Sequence, residues 1–200
     1  MTVNRRLILP LVVFLAGALA LAAAAILTFS PGSRTTGSGT ASVGGPFTLT
    51  TQDGKPLSDT DLRGSPFLVF FGFTHCPDVC PTKLFEISEA LRAAGESDKA
   101  KNLKALFVTV DPERDTPEVM KSYLSSFDPR IIGLTGDRAA IDATIKAYRA
   151  YAKKTPLKDG DYTMDHTALV YLMGKDGGFV GAFNIEQAPA QAAAEWLRQS

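Results

Sequence analysis

The chain has 200 residues, a 45% apolar fraction and a formal net charge of zero. That composition allows one domain with an ordinary core and excludes a disordered polyelectrolyte; the absence of a basic tract argues against nucleic acid as a partner. The charge is unevenly spread: Arg5, Arg6 and Arg34 are the only charged residues in the first 40, so the remainder is mildly acidic.

In chain order, Leu7–Phe29 contains no charged residue. A helix of that length rises roughly 34 Å, enough to cross a hydrocarbon core of about 30 Å. Arg5 and Arg6 precede it, which keeps residues 1–6 in the cytoplasm and exports the rest. The competing reading is a signal peptide with a cleavage site near Ala18-Leu19-Ala20, but a signal core is shorter, about 7–15 residues. Residues 30–45 are rich in Ser, Thr and Gly and read as a flexible tether with a reach of roughly 20 Å. Residues 46–200 remain for the folded domain, placed on the outer side of the cytoplasmic membrane, where disulfides persist.

Within that domain, Phe47–Thr50 and Lys55–Leu57 flank Asp53-Gly54, a hairpin signal. Phe67–Phe73 is continuously apolar, as in a strand buried on both faces. Pro81–Ala94 has helical spacing, with Leu84, Ile87 and Leu91 on one face. Leu103–Val110 is a second strand. Asp115 or Thr116 caps a helix whose first turn holds Pro117, with Met120, Tyr123, Leu124 and Phe127 as its buried stripe. Ile131–Leu134 is extended, Asp137–Tyr151 helical and Ala152–Asp165 a polar loop. Thr167–Met173 and Phe179–Phe183 are strands joined through Gly174–Gly178, and Ala188–Arg198 is a closing helix whose Trp196 packs against the sheet. This alternation predicts an α/β domain: a mostly parallel sheet with an N-terminal β-hairpin, of the thioredoxin-like kind with insertions.

Cys76 and Cys80, the only two cysteines, lie between the apolar strand and the helix that follows. Thioredoxin-type redox enzymes carry two intervening residues, C-x-x-C; three here favour a soft metal ion. As a structural staple so short a loop gains only about 2 kcal/mol, against about 4.7 for a 100-residue loop. The strand ending at Phe73 delivers both cysteines to the carboxyl edge of the sheet, where α/β folds bind ligands. His166 precedes a later strand. If that strand runs antiparallel to the first, His166 reaches the same edge. Two thiolates and one imidazole suit Cu(I), whereas structural zinc requires four protein ligands. Cys80 at a helix start is placed where the dipole favours thiolate. His75 reads as a local hydrogen-bonding residue and Asp78 as part of the loop. Asp111, Glu113 and Asp115 read as a proline-stiffened turn and helix cap with Arg114 ion-paired nearby, in preference to a hard-cation site.

Three segments together, Phe71-Gly-Phe-Thr-His-Cys-Pro-Asp-Val-Cys-Pro81, Val110-Asp-Pro-Glu-Arg-Asp-Thr-Pro117 and Tyr162-Thr-Met-Asp-His-Thr167, resemble the SCO (SenC) family over roughly residues 43–198. The resemblance implies a thioredoxin-like, membrane-held protein that binds one copper, as Cu(I) or Cu(II), through Cys76, Cys80 and His166. It also implies that the copper passes from an upstream donor protein to the copper-site subunit of cytochrome c oxidase, for its binuclear centre. A rival reading makes Cys76 and Cys80 a redox-active pair, in a thiol–disulfide oxidoreductase that reduces the oxidase cysteines. A peroxide-reducing enzyme fits less well, since no single activated thiol stands out.

Overall fold

The computed structural model describes residues 43–158 and 160–199, all within one compact unit, Ser42–Ser200. The predicted membrane helix over residues 7–29 lies outside the described residues, among which no helix is long and apolar enough to cross a membrane.

Nine strands and five helices alternate in the described chain. β1 (Thr48–Thr51) and β2 (Pro56–Ser58) form the expected hairpin, followed by a 3-10 turn, Asp59–Leu62. Then come β3 (Phe67–Gly72), α1 (Val79–Ala94), α2 (Asp98–Lys101), β4 (Lys104–Thr109), α3 (Pro117–Leu124), β5 (Ile131–Thr135) and α4 (Arg138–Ala147). The chain closes with β6 (Ala152–Pro156), β7 (Tyr162–His166), β8 (Val170–Met173), β9 (Phe179–Ala182) and α5 (Pro189–Leu197). Seven strands form one sheet in the order β2-β1-β5-β4-β3-β8-β9, while β6 and β7 pair only with each other. β3, β4 and β5 run parallel; β8 is antiparallel to β3, and β1 to β5.

β3 reads as one apolar run because it is central: every residue from Phe67 to Gly72 is buried. Cover on both faces suits a parallel strand, which cannot alternate with water. Leu84, Ile87 and Leu91, spaced for one helical face, are all buried under α1. Thr116 rather than Asp115 caps α3, accepting the Val119 N–H, with Pro117 in its first turn. Such a cap contributes about 1 kcal/mol. Met120 and Leu124 are buried as predicted, and Tyr123 and Phe127 pack partly buried on the core. The Trp196 indole is fully buried and donates to the Pro66 carbonyl at 3.3 Å.

Three expectations need correction. α4 ends at Ala147, not Tyr151, because Arg149 adopts φ 53°, a left-handed conformation that stops a helix. The polar stretch after it is not a loop: β6 and β7 form a two-stranded hairpin, Ala152 opposite His166 and Pro156 opposite Tyr162. Its outward residues are polar, which hid the strand periodicity. Finally, β8 begins at Val170, so His166 closes β7 instead of preceding the next strand.

Candidate metal centre

The antiparallel pairing of β8 with β3, Val170 opposite Phe70, returns the chain from His166 to the carboxyl end of β3. There the strand gives way to a tight turn in which the Cys76 N–H donates to the Phe73 carbonyl, at 3.3 Å. α1 opens two residues earlier than its apolar pattern indicates, at Val79, and so includes Cys80 in its first turn. Asp78, at the N-cap, makes no side-chain capping bond. Instead the Cys80 N–H donates to Cys76 Sγ at 3.4 Å. The sulfur thus serves one of the free N–H groups that every helix start exposes.

Cys80 is fully buried, Cys76 is half-buried, and both are free thiols. Cys80 Sγ and His166 Nε2 lie 3.4 Å apart, and the donor atoms of Cys76, Cys80 and His166 all fall within 4.8 Å of one another. Nitrogen and sulfur ligands hold metal ions at about 2.0–2.3 Å, so one ion can bridge donors this close with small adjustments. His166 Nδ1–H donates to the Thr167 carbonyl at 3.1 Å. A carbonyl can only accept, so this bond fixes the neutral tautomer and leaves the Nε2 lone pair facing Cys80. Burial pushes the imidazole pKa down, further favouring the neutral, ligating form, although the Thr167 bond opposes that shift. The rings of Phe70 and Phe73 meet the imidazole edge-on, with centroids 6.2 and 5.7 Å away.

The expectation that the helix start would favour a Cys80 thiolate is reversed without a metal. Burial pushes this thiol well up, more than a backbone bond at Phe73 pulls it down. A metal ion would have to displace the proton on binding.

The site needs a bare backbone beside it. A Cβ on Gly72 would lie 2.5 Å from Phe107 Cε2 and 2.9 Å from Cys80 Sγ. The cysteine loop is tied to the sheet by Asp115, which is wholly buried and accepts from the Thr74 amide at 3.1 Å and from the Thr74 and Thr109 hydroxyls at 2.6 Å each. Burial raises its pKa and these bonds hold the rise in check. Sequence reading placed Asp115 only as a candidate cap and missed this role; the available signal was an acid just past the end of one strand, with threonines at the ends of two.

His75 is exposed and contacts the Thr74 hydroxyl, outside the donor group. Asp78 is also exposed, and its carbonyl accepts from Thr82. Among the described residues, Cys76, Cys80 and His166 form the one group of three or more such side chains able to share an ion; Asp111, Glu113 and Asp115 do not. Asp111 and Glu113 bind cationic side chains instead.

Residues 35–199 match the SCO1/SenC family. The chain belongs to that family. It is 43% identical over 152 residues to the mitochondrial SCO1 homolog of Mus musculus, covering 76% of this chain and 54% of that protein. It thus spans about half the length of the mammalian mitochondrial relatives it matches. The copper-bound structure of Bradyrhizobium japonicum ScoI is 61% identical with a TM-score of 0.76, covering 79% of this chain and 99% of that one. BsSco, described as having a disulfide switch and as a member of the Sco family of cytochrome c oxidase assembly proteins, is 26% identical with a TM-score of 0.61, over 79% and 93% of the two chains. The fold is accordingly the mixed α/β, thioredoxin-like fold of Sco proteins.

Proposed function

We propose that this chain is a copper metallochaperone that receives one copper ion per chain from a donor protein and delivers it to the copper-site subunit of cytochrome c oxidase, for the binuclear centre. The observation that carries this reading is the convergence of two free thiols with an imidazole whose tautomer leaves Nε2 open. Soft sulfur donors select Cu(I), and imidazole serves both oxidation states. Copper-bound ScoI, with its high identity and shared fold, supports the same cargo here. Three protein donors leave room for an incoming ligand from a partner. Cys76, the less deeply buried of the two cysteines, is the natural point of exchange. Residues 7–29 would anchor the domain on the outer side of the cytoplasmic membrane, with the stretch from residue 30 up to the compact unit as the tether, near a membrane-embedded acceptor.

A thiol–disulfide oxidoreductase is the second reading. It is favoured by the adjacency of one half-buried and one fully buried cysteine, and by the switch described for BsSco. It requires Cys76 and Cys80 but no imidazole ligand. Elemental analysis and X-ray absorption of the purified chain separate the two. Roughly one copper with sulfur and nitrogen neighbours supports the chaperone. A metal-free protein that rapidly reduces a substrate disulfide would replace that reading with the second.

A further inference from the structure

His166 stands at the end of a hairpin whose ladder closes only on itself. At its base the Thr167 N–H donates to the Tyr151 carbonyl at 3.0 Å, and the Tyr151 N–H to the Thr167 hydroxyl at 2.8 Å. These bonds join the two ends of the hairpin but do not fix its tilt against the main sheet. An isolated two-stranded ribbon is marginal in water. Something else must set where the imidazole lies.

Side chains from the segment after β4 do so. Arg114 Nε donates to Asp111 Oδ2 at 2.5 Å, and its Nη1 donates to the Tyr162 carbonyl at 3.1 Å. The guanidinium lies 3.7 Å from the centre of the Tyr162 ring and 5.9 Å from that of Phe73. Its Nη2, buried and with no hydrogen-bond partner, is left among those rings. The Tyr162 hydroxyl donates back to Asp111 Oδ1 at 3.0 Å, and Asp111 is only 1% exposed. Tyr162, Met164 and His166 share one face of β7 by the two-residue strand period. Met164 adds a buried apolar anchor, but apolar contact has no direction. The planar Arg114 fork does, since it bonds and stacks at once in a way a lysine ammonium cannot.

We propose that Arg114, oriented by Asp111, is the positioning residue of the metal centre: it clamps Tyr162 and thereby aims His166 Nε2 at Cys80. The proposal deepens the copper reading and rests on it for its effect on metal binding. Without the clamp the thiols keep their places, because Asp115 holds their loop independently. Only the imidazole is released.

The test uses the full chain carrying Arg114→Gln, with Asp111→Asn/Arg114→Gln beside it to remove the orphaned buried carboxylate should the single variant fold poorly. In metal-free protein, amide exchange of residues 163–167 should accelerate at least tenfold, with β3 and β4 unchanged. The His166 ring-nitrogen shifts should lose the Thr167-bonded tautomer. Cu(II) affinity should fall about tenfold with loss of nitrogen hyperfine coupling, and Cu(I) affinity less than threefold. Unchanged exchange in the hairpin, or acceleration spread evenly over the sheet, overturns the clamp. A loosened hairpin with unaltered Cu(II) binding overturns its positioning role. If the wild-type chain took up no copper, the functional reading would fall by itself, and exchange and ring-nitrogen shifts would still decide whether Arg114 positions His166.

Discussion

The two halves of the metal centre are held by different means. Cys80 rides on α1 within the core and Cys76 on the turn between β3 and α1: β3 pairs with a strand on each side, and Cys80 is fully buried. His166 rides on a hairpin outside the main sheet, fixed by ion pairs, ring contacts and one buried methionine. A centre built this way has two rigid donors and one adjustable donor. On the proposed copper-carrying reading, the third donor is the one through which the grip on the ion would change.

If the cysteine half is the fixed half, removing it should have the largest effect. Cys76→Ser with Cys80→Ser leaves one imidazole, and Cu(I) affinity should drop by several orders of magnitude, since no soft donor remains. Joining the sulfurs as a disulfide releases two electrons and two protons and should abolish loading just as fully until a reductant restores both thiols. Competition titrations against a Cu(I) chelator, on reduced, oxidised and double-serine protein, measure all three. Equal affinity in the three samples would remove the sulfurs from the site.

The next effect probes rigidity without touching a ligand. Gly72→Ala forces a methyl group against Phe107 and the Cys80 sulfur. Overpacking of this kind costs about 1–3 kcal/mol. Denaturant midpoints should fall accordingly, and Cu(I) affinity with them, because the sulfur must move. An alanine accepted without loss would show that the cysteine half also yields, erasing the contrast with the hairpin.

How legible each half is in the sequence follows from the same difference. β3 announces itself because burial on both faces leaves no polar position between Phe67 and Phe71. The Cys76–Cys80 loop follows from its place after that strand. The hairpin is obscure because one face meets water and its packed face is short. Lys153, Lys154, Asp161 and Asp165 give the stretch the composition of a loop. The inward series Tyr162, Met164, His166 was the strand signal, and it spans only three positions. Asp111 and Arg114 were readable as a local ion pair. Their reach across to Tyr162 depends on a tertiary approach that spacing does not encode.

His166→Ala should separate the halves by oxidation state. Cu(I) tolerates two-coordination by thiolates, so its affinity should fall only a few-fold. Cu(II) prefers nitrogen and oxygen donors and should lose about tenfold, near 1.4 kcal/mol. Paired titrations of the two ions provide the measurement, and an oxidase-assembly assay reports the consequence in cells. Equal losses for both ions would mean that the imidazole acts on the fold and not on the metal.

The smallest effect concerns how the frame withstands acid. Asp128 sits before β5, where its backbone N–H donates to the Ser88 hydroxyl oxygen of α1, at 3.0 Å. Burial alone would raise its pKa, but Arg130 outweighs burial, through Nε at 2.9 Å and Nη2 at 2.8 Å, and holds the carboxyl below its ordinary value. A depressed folded-state pKa means that the pair contributes its full stability above the unfolded value of about 3.9, and that this contribution disappears as pH falls through the lower folded value. Arg130 remains partly wetted, at 19% side-chain exposure, so the contribution should be about 1 kcal/mol or less. Asp128→Asn should therefore be slightly less stable than wild type at pH 7, and the gap should narrow as the pH falls below the unfolded value of about 3.9 and through the lowered folded one. Urea midpoints for both proteins at pH 7, 4.5 and 3 follow it. The hairpin gives the contrasting case: Glu113, which also has a lowered pKa, pairs with Lys154 in full contact with solvent. Glu113→Gln should leave the global midpoint unmoved at every pH. A midpoint shift from Glu113→Gln as large as that from Asp128→Asn would show that the hairpin unfolds with the frame, and that the adjustable donor is as firmly built in as the two sulfurs.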